Sequence, residues 1–490
     1  LETDVNMSIN ESQTVQVDGT LDMAGELQNS GNINVTSSNS LRVNGRFVNQ
    51  ASGTIYSSET GHIVAVNGVE NYGSLGNYGL FEGNIVGYDG SRINISGGNF
   101  ERIELQNSSS DSRLQDVTIN ELIVTDSHLM ISGNSSIKHL NYKGNDENSN
   151  IFVSMDGGIV EKAEITAGSL FFGENTSVLE LVQYGGYVGG KENISIEKLE
   201  IQGGYTWFGE GENVNANVKE VLLTGGQLII CGGTLKEIQQ NEGRLDIIGG
   251  EVEKVIVTGG ECNINESSHE DSEGNLIYTN GIVGELEQRG GSVGLVYGGK
   301  IKNGIRLSET ADLLINNAIL EAGTAPSALF MRDEAKVTIY EGSVDGSGKK
   351  AIQIEGGTLE EGGVVDLNPT KIKGSIEQNG GSMTFYKGIL EEITQNAGEL
   401  NIIGGETKKV ILTGGEFSIG GNFYEDTFAV IEQIEQNGGH VSIKDDGGKV
   451  NNGIVVSGTG SFEMRGGTVE AGTTPAALCI KDNADVQLSW

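Results

Sequence analysis

QNEGRLDIIGGEVEKVIVTGGECNI, Gln240 to Ile264, and QNAGELNIIGGETKKVILTGGEFSI, Gln395 to Ile419, say nearly the same thing about 155 residues apart. A second pair follows them, EAGTAPSALFMRDEAKVTI from Glu321 and EAGTTPAALCIKDNADVQL from Glu470. Within each copy Gly-Gly pairs recur every 17–18 residues, with short apolar runs between them. A short glycine-punctuated period nested in a long one marks a solenoid.

The coil GGQLIICGGTLKEIQQNEG, from Gly225, shows how one turn is built. Alternation over four to six positions is the strand period. Leu228 and Ile230 therefore point inward, and Gln227 and Ile229 outward. Cys231-Gly232-Gly233 makes a corner, and Leu235 and Ile238 return to the core. A sharp bend between strands needs positive φ, which glycine adopts without strain. Asn379, Asn437, Thr224, Thr258 and Thr413 stand at such bends, where they are expected to bond the local backbone. Gln183, Gln288, Gln378, Gln395 and Gln436 also precede bends, where an amide can bond the next coil. No spacing of six supports a left-handed hexapeptide helix. The predicted fold is all-β, a right-handed parallel β-helix. Twenty-odd coils stacked at about 4.8 Å would make one continuous solenoid on the order of 100 Å long.

Composition agrees. The chain has 490 residues, 36% of them apolar, with 76 Gly and only 3 Pro, which excludes collagen. A solenoid of this length needs no large globular core. The net charge of −37 repels nucleic acid and anionic membranes. No stretch reaches the roughly 20 apolar residues of a membrane span, so no membrane insertion of this segment is expected. The chain stops on the strand-like DVQLSW with no capping coil, and since solenoids need caps the natural protein is expected to continue. Three cysteines make no disulfide scaffold. Cys231, Cys262 and Cys479 fall where the repeat partners have Tyr386, Phe417 and Phe330, so all three are expected to be small buried hydrophobes.

Residues 1–145 form a first segment with longer, Asn- and Ser-rich coils, and 146–490 a second with Gly-Gly coils, carrying the long repeat at about 225–340 and 380–490. Two insertions leave the coil at the same place in each copy, Asn265–Asn280 and Gly421–Phe428. Loops leaving one corner line up on one side and often carry binding.

Catalytic chemistry is poorly represented. Glycoside hydrolysis needs two carboxylates across a cleft. Asp445-Asp446 and Glu425-Asp426 are adjacent pairs, and Asp366 and Asp156 are isolated. Among 68 acids such pairs arise by chance, and the first copy has Tyr297 where Asp445-Asp446 falls. The Trp-x-Asp-His strand of pectate lyases and the motif set of polygalacturonases are missing. His62, His128, His139, His269 and His440 have no metal-ligand spacing. HEDSEGN at His269 lacks the ligand alternation of a calcium loop. The expectation is a non-enzyme with no cofactor and no metal. Asn-x-Ser/Thr occurs often, at Asn6, Asn34 and Asn94 among others, and would matter only in a host that glycosylates it.

One surface feature is more informative. Phe171, Tyr187, Tyr205 and Trp207 fall on outward positions, with Ile229 on the next coil. Stacked coils would align them into an exposed aromatic strip, and such patches mean an interface or a ligand groove. These four are the candidate ligand-binding residues.

At the Gly-Gly coils, over roughly 180–300 and 375–470, the chain resembles the passenger repeats of AIDA-type bacterial autotransporter adhesins. SALFMRDEAKVTIYEGSVDGSGKKAIQIEGGTLEEGG, from Ser327, resembles instead the β-helix repeats of Gram-positive surface proteins. The resemblance implies an exported, extracellular or cell-surface, adhesin-like protein whose partner is a host or bacterial surface glycan or protein. It carries over no functional residue. The alternatives are a polysaccharide lyase or glycoside hydrolase of the β-helix class and a purely structural stalk.

Overall fold

The computed structural model describes residues 2–108, 111–145, 152–190, 193–209, 216–270, 276–361, 370–422, 427–445 and 447–489. Every regular element among them is a strand, and parallel pairing makes a β-solenoid of about 22 turns. The chain divides into two compact units, Leu1–Leu235 and Lys236–Trp490.

In the first unit each turn contributes a short strand to one face and a longer or split strand to the other. Up to Ile85–Gly87 the longer face is built of paired short strands such as Thr20–Met23 and Leu27–Asn29. From Asn99–Gln106 onward these pieces merge into strands of about eight residues. Leu27 pairs with Phe47 and Phe47 with Val69, whereas Leu122 pairs with Leu140. The shortening begins before the strands merge, since Val69 already pairs with Ile85 and His62 with Leu80. Inward positions carry the core: Leu170, Val188 and Leu228 are fully buried in one column, and Phe172, Phe208 and Ile230 in the next. Gly190 interrupts that second column, and the space a Cβ would fill there is taken by Ile194 and Phe208.

The corner at Gly186, Gly204 and Gly226 shows why glycine recurs. Their φ values are +73°, +81° and +69°. A Cβ on Gly204 would lie 2.4 Å from the Gly186 carbonyl oxygen, and one on Gly226 2.6 Å from that of Gly204. Both backbone torsion and stacking therefore exclude a side chain. Where such bends are not glycine they are often Asn or Asp, as at Asn107, Asp116 and Asn175.

In the second unit the same scheme runs from Arg244–Ile247 through Asp485–Leu488 on interleaved strands. Its coil length is not uniform. Ile376 pairs with Ile393 and Ile393 with Val410, but Ile305 pairs with Leu329, 24 residues on. The extra residues make corner loops such as 322–326. Both insertions leave the corner after a short strand. The first is an antiparallel hairpin of Glu266–Glu270 with Leu276–Asn280, and the second pairs Gly421 with Phe428 and Asn422 with Thr427.

Buried amides tie the coils together. In the first unit Asn29 donates to Asn49 at 2.8 Å and Asn49 to Asn71 at 2.7 Å. Further along, Gln183 Nε2 donates to the Gly186 and Tyr205 carbonyls. In the second unit Gln240, Gln288, Gln378, Gln395 and Gln436 repeat that pair of bonds, one within the turn and one to the next coil. The corner threonines behave differently from the local bonding expected of them. Thr224 Oγ1 donates to the Ile201 carbonyl and Thr413 Oγ1 to Asn396 Oδ1, both on the preceding coil. Coils in register put an acceptor directly below, within reach of a hydroxyl.

The cysteines correct the expectation of uniform burial. Cys262 is buried, while Cys231 and Cys479 are only half-buried. Cys231 lies past the strand end at a corner, and Cys479 sits in the strand Leu478–Ile480, whose counterpart Ser327–Met331 has another strand paired on its far side.

Candidate functional site

The aromatic residues singled out in the sequence come together in the first unit on successive rungs of the short-strand face. In register, Phe152, Ser169, Tyr187, Tyr205 and Gln227 form one outward column. Ser154, Phe171, Gly189, Trp207 and Ile229 form the adjacent one. Their alternation with buried Val153, Leu170, Val188 and Leu228 turns them outward. Phe171, Tyr187, Tyr205 and Trp207 are each half-buried rather than fully exposed.

The rings cover one another. Centroids lie 5.5 Å apart for Phe152–Phe171, edge to face, 5.5 Å for Phe171–Tyr187, tilted, and 5.3 Å for Tyr187–Tyr205 at 13°. Rings so nearly parallel at 5.3 Å cannot lie side by side, because their hydrogens would overlap. Tyr187 and Tyr205 therefore stack with faces turned toward each other along the ladder and edges turned outward. His128 extends the run at its lower end, 4.4 Å from Phe152, and its buried Nε2 has no hydrogen-bond partner.

Gly189 lets the two columns interlock. A Cβ there would lie 2.8 Å from Phe171 and 3.1 Å from Tyr187. The missing side chain is the space through which Phe171 leans to meet Tyr187. Trp207 stands next in that column, beyond Gly189 and before Ile229, and none of the ring pairs among the described residues includes it. Its indole N–H donates to Cys231 Sγ at 3.1 Å. Trp207 is half-buried, so part of its ring reaches solvent. Phe152 and His128 were not singled out in the sequence. Phe152 shares the column of Tyr187 and Tyr205, so its frame could have revealed it. His128 precedes its strand, outside the alternation.

The acids weighed for catalysis do not converge. Asp156 is exposed at a corner, and Asp366, Glu425, Asp426 and Asp446 lie outside the described residues. So does part of the HEDSEGN stretch. Asp445 borders a polar trough of about 710 Å³ in the second unit, with Glu399, Glu416, His440, Ser442 and Arg465. Glu399, Glu416 and His440 are successive neighbours across the strands. His440 Nδ1 is held by Ser461 Oγ at 2.8 Å, and Arg465 donates to Glu463 at 2.8 Å. Among the described residues no three His, Cys, Asp or Glu side chains group as metal ligands. A groove of about 460 Å³ lies at the foot of the first hairpin, bordered by Glu266, Asn317, Ile319 and Lys371. Leu276, Tyr278 and Tyr297 near that foot are exposed.

The molecule is defined by its fold as a parallel β-solenoid. The chain matches no protein-family model and no curated protein.

Proposed function

We propose that the chain is a non-catalytic, adhesin-like binding module of an extracellular bacterial surface protein. Its contact surface is the aromatic ladder of the first unit. The observation that carries this reading is the confinement of Phe152, Phe171, Tyr187, Tyr205 and Trp207 to consecutive rungs of one face. Aromatic rings half out of water on a soluble chain favour a partner that removes them from it. The Trp207 ring suits the apolar side of a sugar ring. A surface glycan is the favoured ligand. The resemblance of the Gly-Gly coils to adhesin passenger repeats supports the same setting.

The test is a glycan array with the intact chain beside a Trp207→Ala, Tyr205→Ala double variant of unchanged circular dichroism. Binding by the intact chain that the variant loses supports the reading. No binding by either leaves a stalk, with the ladder serving only to hold coils together.

A second reading rests on the Glu399–Glu416–His440 trough, where carboxylates of neighbouring coils line a polar concavity. That arrangement is what a polysaccharide-cleaving β-helix would use. Release of reducing ends from acidic or neutral polysaccharides, abolished by Glu416→Gln, would favour it over the binding module.

A further inference from the structure

The second unit contains a small hollow that joins an apolar wall to a cation and two other polar groups. It is about 210 Å³, and its walls are Ile305, Ala325, Pro326 and Phe330. Arg306, Ser327 and Gln353 supply its polar groups. Pockets for drug-sized ligands begin at about 300 Å³, so this one has room for a single ring.

Its cation is free. Arg306 is exposed and makes no ion pair with a described residue, in a chain with 68 acids and 31 bases. Three acids on the neighbouring strands are already held. Glu287, directly across the strand from Arg306, is paired with Arg289 at 2.6 Å. Glu321 is paired with Lys300 at 2.7 Å, and Glu377 with Lys350. The net charge of −37 is screened over about 8 Å at physiological salt, so these local pairings decide what the guanidinium meets.

The hollow is also built. Arg306 pairs across the strands with Phe330, and Phe330 with Gln353. Ser327 is 3% exposed and lines the hollow, and its hydroxyl makes no hydrogen bond to a described residue. The loop above it is pinned by Lys349 Nζ, which donates to the Gly323 and Ala325 carbonyls at 2.8 and 2.9 Å. Gly304 beneath, at φ +83°, would put a Cβ 2.9 Å from that of Ala325.

The internal repeat supplies a control. The corresponding loop, Gly472–Ala476, keeps the same turn, with Thr474 N–H donating to the Ala471 carbonyl as Ala325 N–H does to Ala322. At the positions of Arg306 and Phe330, however, it has Val455 and Cys479. Both the charge and the ring have changed while the scaffold has not.

The geometry points to a binding site for a carboxylate carried on a six-membered sugar ring, an acidic monosaccharide unit. The guanidinium takes the carboxylate in a two-pronged contact. The ring lays its C–H face on Phe330 and Pro326, and Ser327 and Gln353 meet its hydroxyls. This site stands apart from the aromatic ladder and does not rest on it.

The experiment is a titration of the intact chain, followed by saturation-transfer NMR, with methyl glucuronide, methyl glucoside and cyclohexanecarboxylate. Methyl glucuronide is expected to bind saturably and at least about tenfold more tightly than the glucoside, the difference of one charge-assisted contact. Arg306→Gln should reduce it to the glucoside level, and Phe330→Cys, the residue of the other repeat, should weaken it similarly. Trp207→Ala should leave it unchanged, so loss of ladder binding and loss of this site read out separately. Equal binding of glucuronide and glucoside, or no effect of Arg306→Gln, overturns the site. Cyclohexanecarboxylate binding as tightly as glucuronide overturns the sugar assignment.

Discussion

At the scale of the residue, the stack is governed by what each corner can hold. Gly90 and Gly415 both have positive φ, +76° and +85°. A Cβ on Gly90 meets nothing within 4 Å, whereas one on Gly415 lies 2.6 Å from the Gly398 carbonyl oxygen. Gly90→Ala should therefore cost about 1–2 kcal/mol, the torsional penalty alone. Gly415→Ala should cost distinctly more, as read from urea unfolding followed by circular dichroism. Equal costs would mean the coils can spread apart freely. The buried glutamines allow a similar comparison. Gln395 Nε2 makes two bonds, but its buried Oε1 has no partner, and Leu412 occupies the equivalent place one coil on. Gln395→Leu trades two bonds of about 1 kcal/mol each for apolar contact. Gln395→Ala loses the bonds and leaves a cavity, so it should be the more damaging by about 1–2 kcal/mol. Burial pushes the Cys262 thiol far above its ordinary pKa, with Asp246 and Glu261 adding to the shift. In the native chain a thiol reagent should modify Cys231 and Cys479 but leave Cys262 untouched until urea is added. Rapid labelling of Cys262 would contradict its packing.

At the scale of the element, one strand carries a charge into the core. Thr358–Glu361 turns Glu361 inward, 1% exposed, between Ile339 and Phe385 on the neighbouring coils. Burial raises its pKa, partly offset by the Lys387 N–H that donates to it at 3.0 Å. The folded state therefore holds this proton to higher pH than the unfolded chain does. Well below the ordinary carboxyl range both states are protonated and the group is neutral to stability. As pH rises through and beyond that range the unfolded chain ionises first, and stability falls until the folded group ionises too. Glu361→Gln should remove this loss. Its urea midpoint relative to the parent should increase between about pH 4 and pH 7. A difference independent of pH would show that Glu361 is not the titrating group. The strand alternation that turns Leu359 inward assigns Glu361 to the same face, so an acid stands where its neighbours carry apolar side chains.

At the scale of the whole molecule, the acidic surplus governs behaviour in solution. With a net charge of −37, self-repulsion opposes the compact state. Raising salt from about 10 to 150 mM shortens the screening length from about 30 to 8 Å. The thermal midpoint should rise over that range, and an unchanged midpoint would place the charges too far apart to matter. Self-association, followed by light scattering, should grow as pH falls toward the isoelectric point near 4.4.

The repeat of Gly-Gly corners and alternating apolar residues was enough to specify parallel coils, most of the side chains that enter the core, and the bridging of Gln183, Gln288, Gln378, Gln395 and Gln436, though not of Gln240. Those features follow from spacing along a single coil, because a strand alternates and a sharp bend requires glycine wherever it occurs. The same frame put Phe171, Tyr187, Tyr205 and Trp207 on one outer face. It did not show that Tyr187 and Tyr205 turn their faces to each other, or that Cys231 meets the Trp207 indole. Nor did it bring Arg306, Phe330 and Gln353 to one hollow. Each of these depends on side chains of other coils, usually 17 to 24 residues away, packed within a van der Waals contact. Ring tilt, thiol exposure and the shape of a hollow are set by that packing, and packing between coils exists only once the chain has stacked.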